Sequence, residues 1–197
     1  LFLVLLLLLS ALGYAALHLS AGKIVPLVLQ QMVQLKAEAS EKLFEQADDS
    51  VRRLRLALVQ RLDAQATERS IPERFDHLFA RSPDGLWRLR PDKVDPEHAP
   101  TLYLHAGAQG PDASTRLRAV VSYELLREQG PALVPPFFSV YMDFVEDGLM
   151  VYAHDIDWGG NADAQASNAN CPTMRGADPA RNPERTIFWT PVYLDQQ

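Results

Sequence analysis

The sequence predicts an α+β fold with a mainly antiparallel sheet, preceded by a transmembrane helix and a long stalk helix. Three observations carry this: a charge-free apolar run from Leu1 to Leu19, a single apolar stripe from Val28 to Ala66, and short alternating segments with turn residues after Ser70. The expected division is an anchor over residues 1–22, a stalk helix over 23–70 and a mixed α+β domain over 71–197.

The apolar run contains no Asp, Glu, Lys or Arg. As a helix it would span about 28 Å, close to the roughly 30 Å hydrocarbon core of a bilayer. Ser20-Ala21 after the leucines is also compatible with a signal-peptide cleavage site, so anchor and cleaved leader both stay open. Pro26 predicts a kink between anchor and stalk.

The stripe Val28, Met32, Leu35, Ala39, Leu43, Ala47, Val51, Leu54, Leu58, Leu62, Ala66 keeps helical spacing, with charged residues on the other faces and no Gly or Pro within it. Such a helix is about 60 Å long, more than a small core needs. Part of its apolar face is therefore expected to bury against a domain or against the same helix of a second chain, as in a homodimer.

Ile71 to Phe79 reads as a short helix entered through Pro72, and Ser82-Pro-Asp-Gly85 as a turn. Leu86 to Arg90 alternates apolar and basic residues, as a half-buried strand would, and Thr101 to His105 forms a second extended piece. Asp112 should cap a helix running to about Arg127 and ending at Gly130-Pro131. Ser139 to Val145 and Leu149 to His154, separated by Glu146-Asp147-Gly148, give the clearest hairpin signal. A loop of about thirty residues follows, too long for a simple connection, and an aromatic strand is expected over Thr186 to Leu194.

A formal net charge of −6 without a Lys/Arg cluster argues against nucleic-acid binding, which draws its affinity from clustered cations. The single cysteine, Cys171, has no second thiol with which to form a disulfide. No serine on a Gly-flanked elbow and no phosphate-binding Gly-rich loop is present, so no enzymatic activity is expected of this segment. His154-Asp-Ile-Asp157 admits either a divalent metal or ordinary loop polarity, and no cofactor or metal is assigned. The chain opens on Leu1 and is expected to belong to a longer protein.

Taken in order, the anchor, the stalk helix, Phe75-Asp-His-Leu-Phe-Ala-Arg-Ser-Pro-Asp-Gly-Leu-Trp-Arg88, Pro136-Phe-Phe-Ser-Val-Tyr141 and Phe188-Trp-Thr-Pro-Val-Tyr-Leu-Asp195 resemble the double Cache family. Its members are extracytoplasmic sensor domains of bacterial histidine kinases, diguanylate cyclases and chemoreceptors. The resemblance implies a PAS-like antiparallel sheet, C-terminally incomplete here. It also implies a small-molecule ligand, insertion in the bacterial inner membrane with the sensor facing the periplasm or exterior, and a kinase or cyclase output elsewhere in the protein. Family members that bind amino acids carry an Arg-x-Trp-Tyr group followed downstream by Tyr and Asp. Here Arg185 stands three intervening residues before Trp189, and Tyr193 and Asp195 carry over.

The candidate ligand-binding residues are Tyr141, Asp157, Trp158, Arg185, Trp189, Tyr193 and Asp195, an aromatic wall with a few orienting charges. The rival from another class is an exported, metal-dependent hydrolase released by cleavage near Ala21. A third reading is a stalk-and-cap module without a ligand.

Overall fold

The computed structural model describes residues 2–192, with the side chains at 2–9, 11–12 and 15–24 left aside. Helix α1 (Phe2–Gln65) continues through Pro26. The chain forms two units, Leu1–Ala47 and Asp48–Gln197. Most of the apolar run expected to be an anchor lies outside the described side chains. Among the described residues no helix is long and apolar enough to cross a membrane.

The apolar stripe has two fates. Val28, Met32, Leu35 and Leu43 are exposed, whereas Leu54 is buried in the core of the second unit with Ala57 and Leu58 packed beside it. Arg61 reinforces that docking with a 2.6 Å ion pair to Glu128.

In the second unit, α2 (Ile71–Leu78) starts with Pro72 in its first turn, where a missing N–H costs nothing. It ends one residue early. Phe79 is extended and opens β1 (Phe79–Arg81), which turns through Ser82–Gly85 into β2 (Trp87–Leu89). Gly85 at φ +94° supplies the left-handed conformation that turn requires. After a 3₁₀ turn (Pro91–Lys93) comes β3 (Thr101–Leu104), and then α3 (Ala113–Leu133), capped as expected by Asp112, whose carboxylate accepts the Thr115 N–H at 2.7 Å.

α3 does not stop at Gly130-Pro131 but runs on to Leu133. A Cβ on Gly130 would lie 2.6–3.0 Å from the Tyr152 side chain, so this glycine serves close packing and not helix termination. The hairpin β4 (Val140–Phe144) and β5 (Gly148–Tyr152) forms where expected, with Asp147, at φ +63°, turning the chain. The strands make one antiparallel five-stranded sheet in the order β1-β2-β3-β5-β4.

Cross-strand partners share a face, so the register sorts the side chains. Leu102, Met150 and Met142 point inward with Leu104, Phe144 and Tyr152, onto α2 and α3, forming the main core with Phe75, Phe79, Val120, Leu125 and Leu126. The opposite, outer face carries two cross-sheet rows. One is Arg88–Tyr103–Leu149–Asp143 and the other Thr101–Val151–Tyr141.

Of the strand expected over Thr186 to Leu194, the described residues form none. Residues 186–192 are irregular, with Pro191 unable to donate to a ladder, and the rest of that stretch lies outside the described residues.

Candidate functional site

The outer face is covered by a strap, residues 154–177, that includes two short helices, α4 (Trp158–Asn161) and α5 (Pro172–Ala177). Beneath it Leu86, Tyr103, Leu149, Val151 and Ala153 form a second, smaller apolar cluster, against which Ile156, Trp158, Ala162 and Ala166 pack. This apolar layer is thin, and hydrogen bonds supply much of the attachment.

Arg88 holds the first half of the strap. Its guanidinium donates to the carbonyls of Gly159, Gly160 (3.2 Å) and Ala162 (2.9 Å) while keeping a 2.6 Å ion pair with Asp84 and a bond to Ser82 Oγ at 3.2 Å. A guanidinium is suited to this because its planar donors can serve several acceptors at once. Hydrogen bonds from Ser82 and then Arg88 hold the Asp84 carboxyl down at about 2. The Gly159 N–H donates to Thr101 Oγ1 at 2.9 Å, and the backbone at Gly159 lies directly on β3: a Cβ there would meet the Leu102 backbone at 2.4–2.5 Å.

The second half is pinned by Asn168, which is 6% exposed. Its side-chain amide donates to Asp143 Oδ1 (2.6 Å) and to the Gly148 carbonyl (2.7 Å), and its backbone N–H to Asp147 Oδ1 (2.9 Å). Thr173 donates to Asp143 Oδ2 at 3.0 Å, and His105 Nε2 lies 2.8 Å from the Ala166 carbonyl. Asn168 Oδ1 and Trp158 Nε1 are buried without hydrogen-bond partners in this layer. Buried polar atoms of that kind cost free energy unless something else satisfies them.

Three of the sequence-predicted residues meet on this side of the sheet. Tyr141 stands on β4 opposite Val151, 41% exposed. Trp158 opens α4 and makes an edge-to-face contact with Phe138 at 6.5 Å between centroids. Asp157 caps α4, accepting the Gly160 N–H at 2.7 Å, which gives its carboxylate a local structural partner. In the same segment His154 Nδ1 lies 2.7 Å from Asp155 Oδ2, and among the described residues no three His, Cys, Asp or Glu side chains gather in metal-binding geometry.

The other candidates are placed differently. Arg185, exposed and at φ +52°, is fixed by its backbone, its carbonyl accepting from Arg55 of α1 at 2.8 Å. Trp189 is 56% exposed in the irregular segment. Tyr193 and Asp195 lie outside the described residues.

Sequence reasoning missed Arg88, Thr101, His105, Asp143 and Asn168. The one signal available was Asp84, four residues before Arg88 on the far side of a turn. The acceptors that reveal the role of Arg88 are backbone carbonyls more than seventy positions away, and such carbonyls leave no mark in a sequence.

Under the strap the sheet carries a buried aromatic and aliphatic floor (Tyr103, Leu149, Val151) with Trp158 in its cover, and Arg88 and Asp143, at the two ends of one cross-sheet row, are paired with strap and turn groups. No protein-family model, curated protein or solved structure matches the chain.

Proposed function

We propose that the chain is the extracytoplasmic ligand-sensing segment of a membrane-bound bacterial signal-transduction receptor of the double Cache type. A small molecule is held between the outer sheet face and the strap, and its occupancy is passed on through α1. The observation that carries this reading is the strap itself: a long segment fastened by polar contacts over an aromatic sheet face, with two buried polar atoms unsatisfied in the layer.

Two further observations support the signalling half. The C-terminal part of α1 is built into the folded unit through Leu54 and Arg61, so a shift of the sheet against its helices is felt by that helix. Its exposed Val28, Met32, Leu35 and Leu43 supply a seam for a homodimer, through which paired output domains would be coupled. For a ligand to signal, it must bind one arrangement of α1 more tightly than another. In this reading the apolar run at residues 1–22 is the membrane anchor and the Asp48–Gln197 unit lies outside the inner membrane.

A thermal-shift screen of the chain against amino acids, organic acids, polyamines and divalent metals tests the proposal. A ligand at a hundredfold excess over its Kd stabilises by about 2.7 kcal/mol. A selective rise in Tm that is lost in Tyr141→Ala supports a ligand on the outer face. A rise with divalent metal alone points to the hydrolase reading, and no response across the panel to a module without a small-molecule ligand.

A further inference from the structure

The two halves of the strap are fastened in different ways. Residues 157–162 are held by Arg88 and Thr101, whereas residues 166–173 are held by Asn168, His105 and Asp143. Between them Asp163 organises a turn of its own, accepting the Gln165 N–H at 2.7 Å on its side chain and the Ala166 N–H at 2.9 Å on its carbonyl. At the other end Asp155, at φ +64°, turns the chain, and the Ile156 N–H donates to the Ala153 carbonyl. Both turns keep their hydrogen bonds if the stretch between them lifts. Within that stretch, the Gly160, Asn161 and Ala162 N–H groups bond to Asp157 and Trp158 and would travel with it.

The two fastenings also differ in what release would leave behind. Freed from the strap carbonyls, Arg88 still has Asp84 and Ser82, so its charge is never stranded. Freed from the sheet, Asn168 would abandon a buried amide and remove donors from Asp143, Asp147 and Gly148 at once. In hydrogen bonds, breaking that buried set costs more than exchanging strap carbonyls for water, while lifting residues 156–162 costs the Gly159–Thr101 bond and the packing of Ile156 and Trp158 on the outer-face cluster.

We propose that residues 156–162 form a flap that opens on its own while residues 166–173 stay fixed, with Arg88 as its catch and Asp84 paired with that catch in both states. In naming the flap as the door to a ligand, the inference rests on the outer-face reading of the proposed function. The movement itself is independent of any ligand.

Amide hydrogen exchange on the full chain, without ligand, tests it. Arg88→Lys replaces a fork that serves three carbonyls with a point charge. Weakening the catch should speed exchange of the Gly159 amide, whose bond to Thr101 Oγ1 breaks when the flap lifts, by roughly ten- to a hundredfold, while the Gly160, Asn161 and Ala162 amides, whose partners travel with the flap, change less. The Asn168 and Cys171 amides, which bond to Asp147 and to the Asn168 carbonyl, should stay unchanged. Gly159→Ala tests the same movement from the strap side with Arg88 intact, because its Cβ cannot sit on the Leu102 backbone, and it should give the same pattern. If the Asn168 amide speeds up together with the flap in either variant, the strap is one unit and the proposal falls. It also falls if neither variant speeds the flap. Because no ligand is present, these outcomes bear on the movement alone, and the thermal-shift screen tests binding separately.

Discussion

Replacing Asn168 by alanine removes one side chain and two donated hydrogen bonds, one to the Asp143 carboxylate and one to the Gly148 carbonyl, from a position that is 6% exposed. A hydrogen bond to a charged group is worth about 1.5–3 kcal/mol and one to a neutral group about 1 kcal/mol, so the loss should be roughly 2.5–4 kcal/mol. For a unit of this size that corresponds to a fall in Tm of roughly 5–15 °C. Urea unfolding followed by circular dichroism should show a lower midpoint with an unchanged slope, because the surface exposed on unfolding is nearly the same. Asn168→Asp keeps the shape, loses the amide donors and sets a second carboxylate against Asp143, so it should cost at least as much. Conversely, a loss below about 1 kcal/mol in both variants would mean that Asn168 does not pin the strap, and the division of the strap into a fixed and a movable half would lose its basis.

Other expectations follow from single contacts. Gly130→Ala should destabilise by about 1–3 kcal/mol in urea, since its Cβ would press on Tyr152, which is 1% exposed and donates its hydroxyl to the Glu97 carbonyl. The Asp112 and Asp84 carboxyls are both held at about 2, Asp112 chiefly by the Thr115 N–H and Asp84 chiefly by Ser82. Their stabilisation should be complete above the ordinary value of 3.8 and lost as the pH falls through about 2, and an acid titration of Asp112→Asn should lack its share of that loss. Changing Val28 and Leu35 to serine should weaken self-association in sedimentation measurements while leaving the Tm of the Asp48–Gln197 unit unchanged, because both side chains are exposed in the single chain.

Elements with a local cause were legible in the sequence. The Asp112 cap, the Pro72 helix start, the Ser82–Gly85 turn and the hairpin at Asp147 each depend on residues within a few positions of one another. Gly130-Pro131 was misleading because a glycine that ends a helix and one that admits a neighbouring ring look alike in sequence; Tyr152, more than twenty positions away, decides between them. Phe79 passed from helix to strand because β2 pairs with it. The aromatic stretch at Ile187–Trp189 has strand-like composition, yet its residues find no ladder among the described strands. On the outer face, Tyr141 and Trp158 were read in the sequence as part of an aromatic wall, whereas Arg88 looked like the solvent side of a strand. Its side chain is in fact only 12% exposed, because the strap lies over it.

The most direct test of binding on the outer face is hydrogen exchange across the chain with and without whichever compound raises its Tm. Protection gained at residues 157–173 and on β4 and β5, with little change elsewhere in the Asp48–Gln197 unit apart from α1, is the predicted result. Saturable binding whose protection falls on another surface, with the strap amides unchanged, would contradict it.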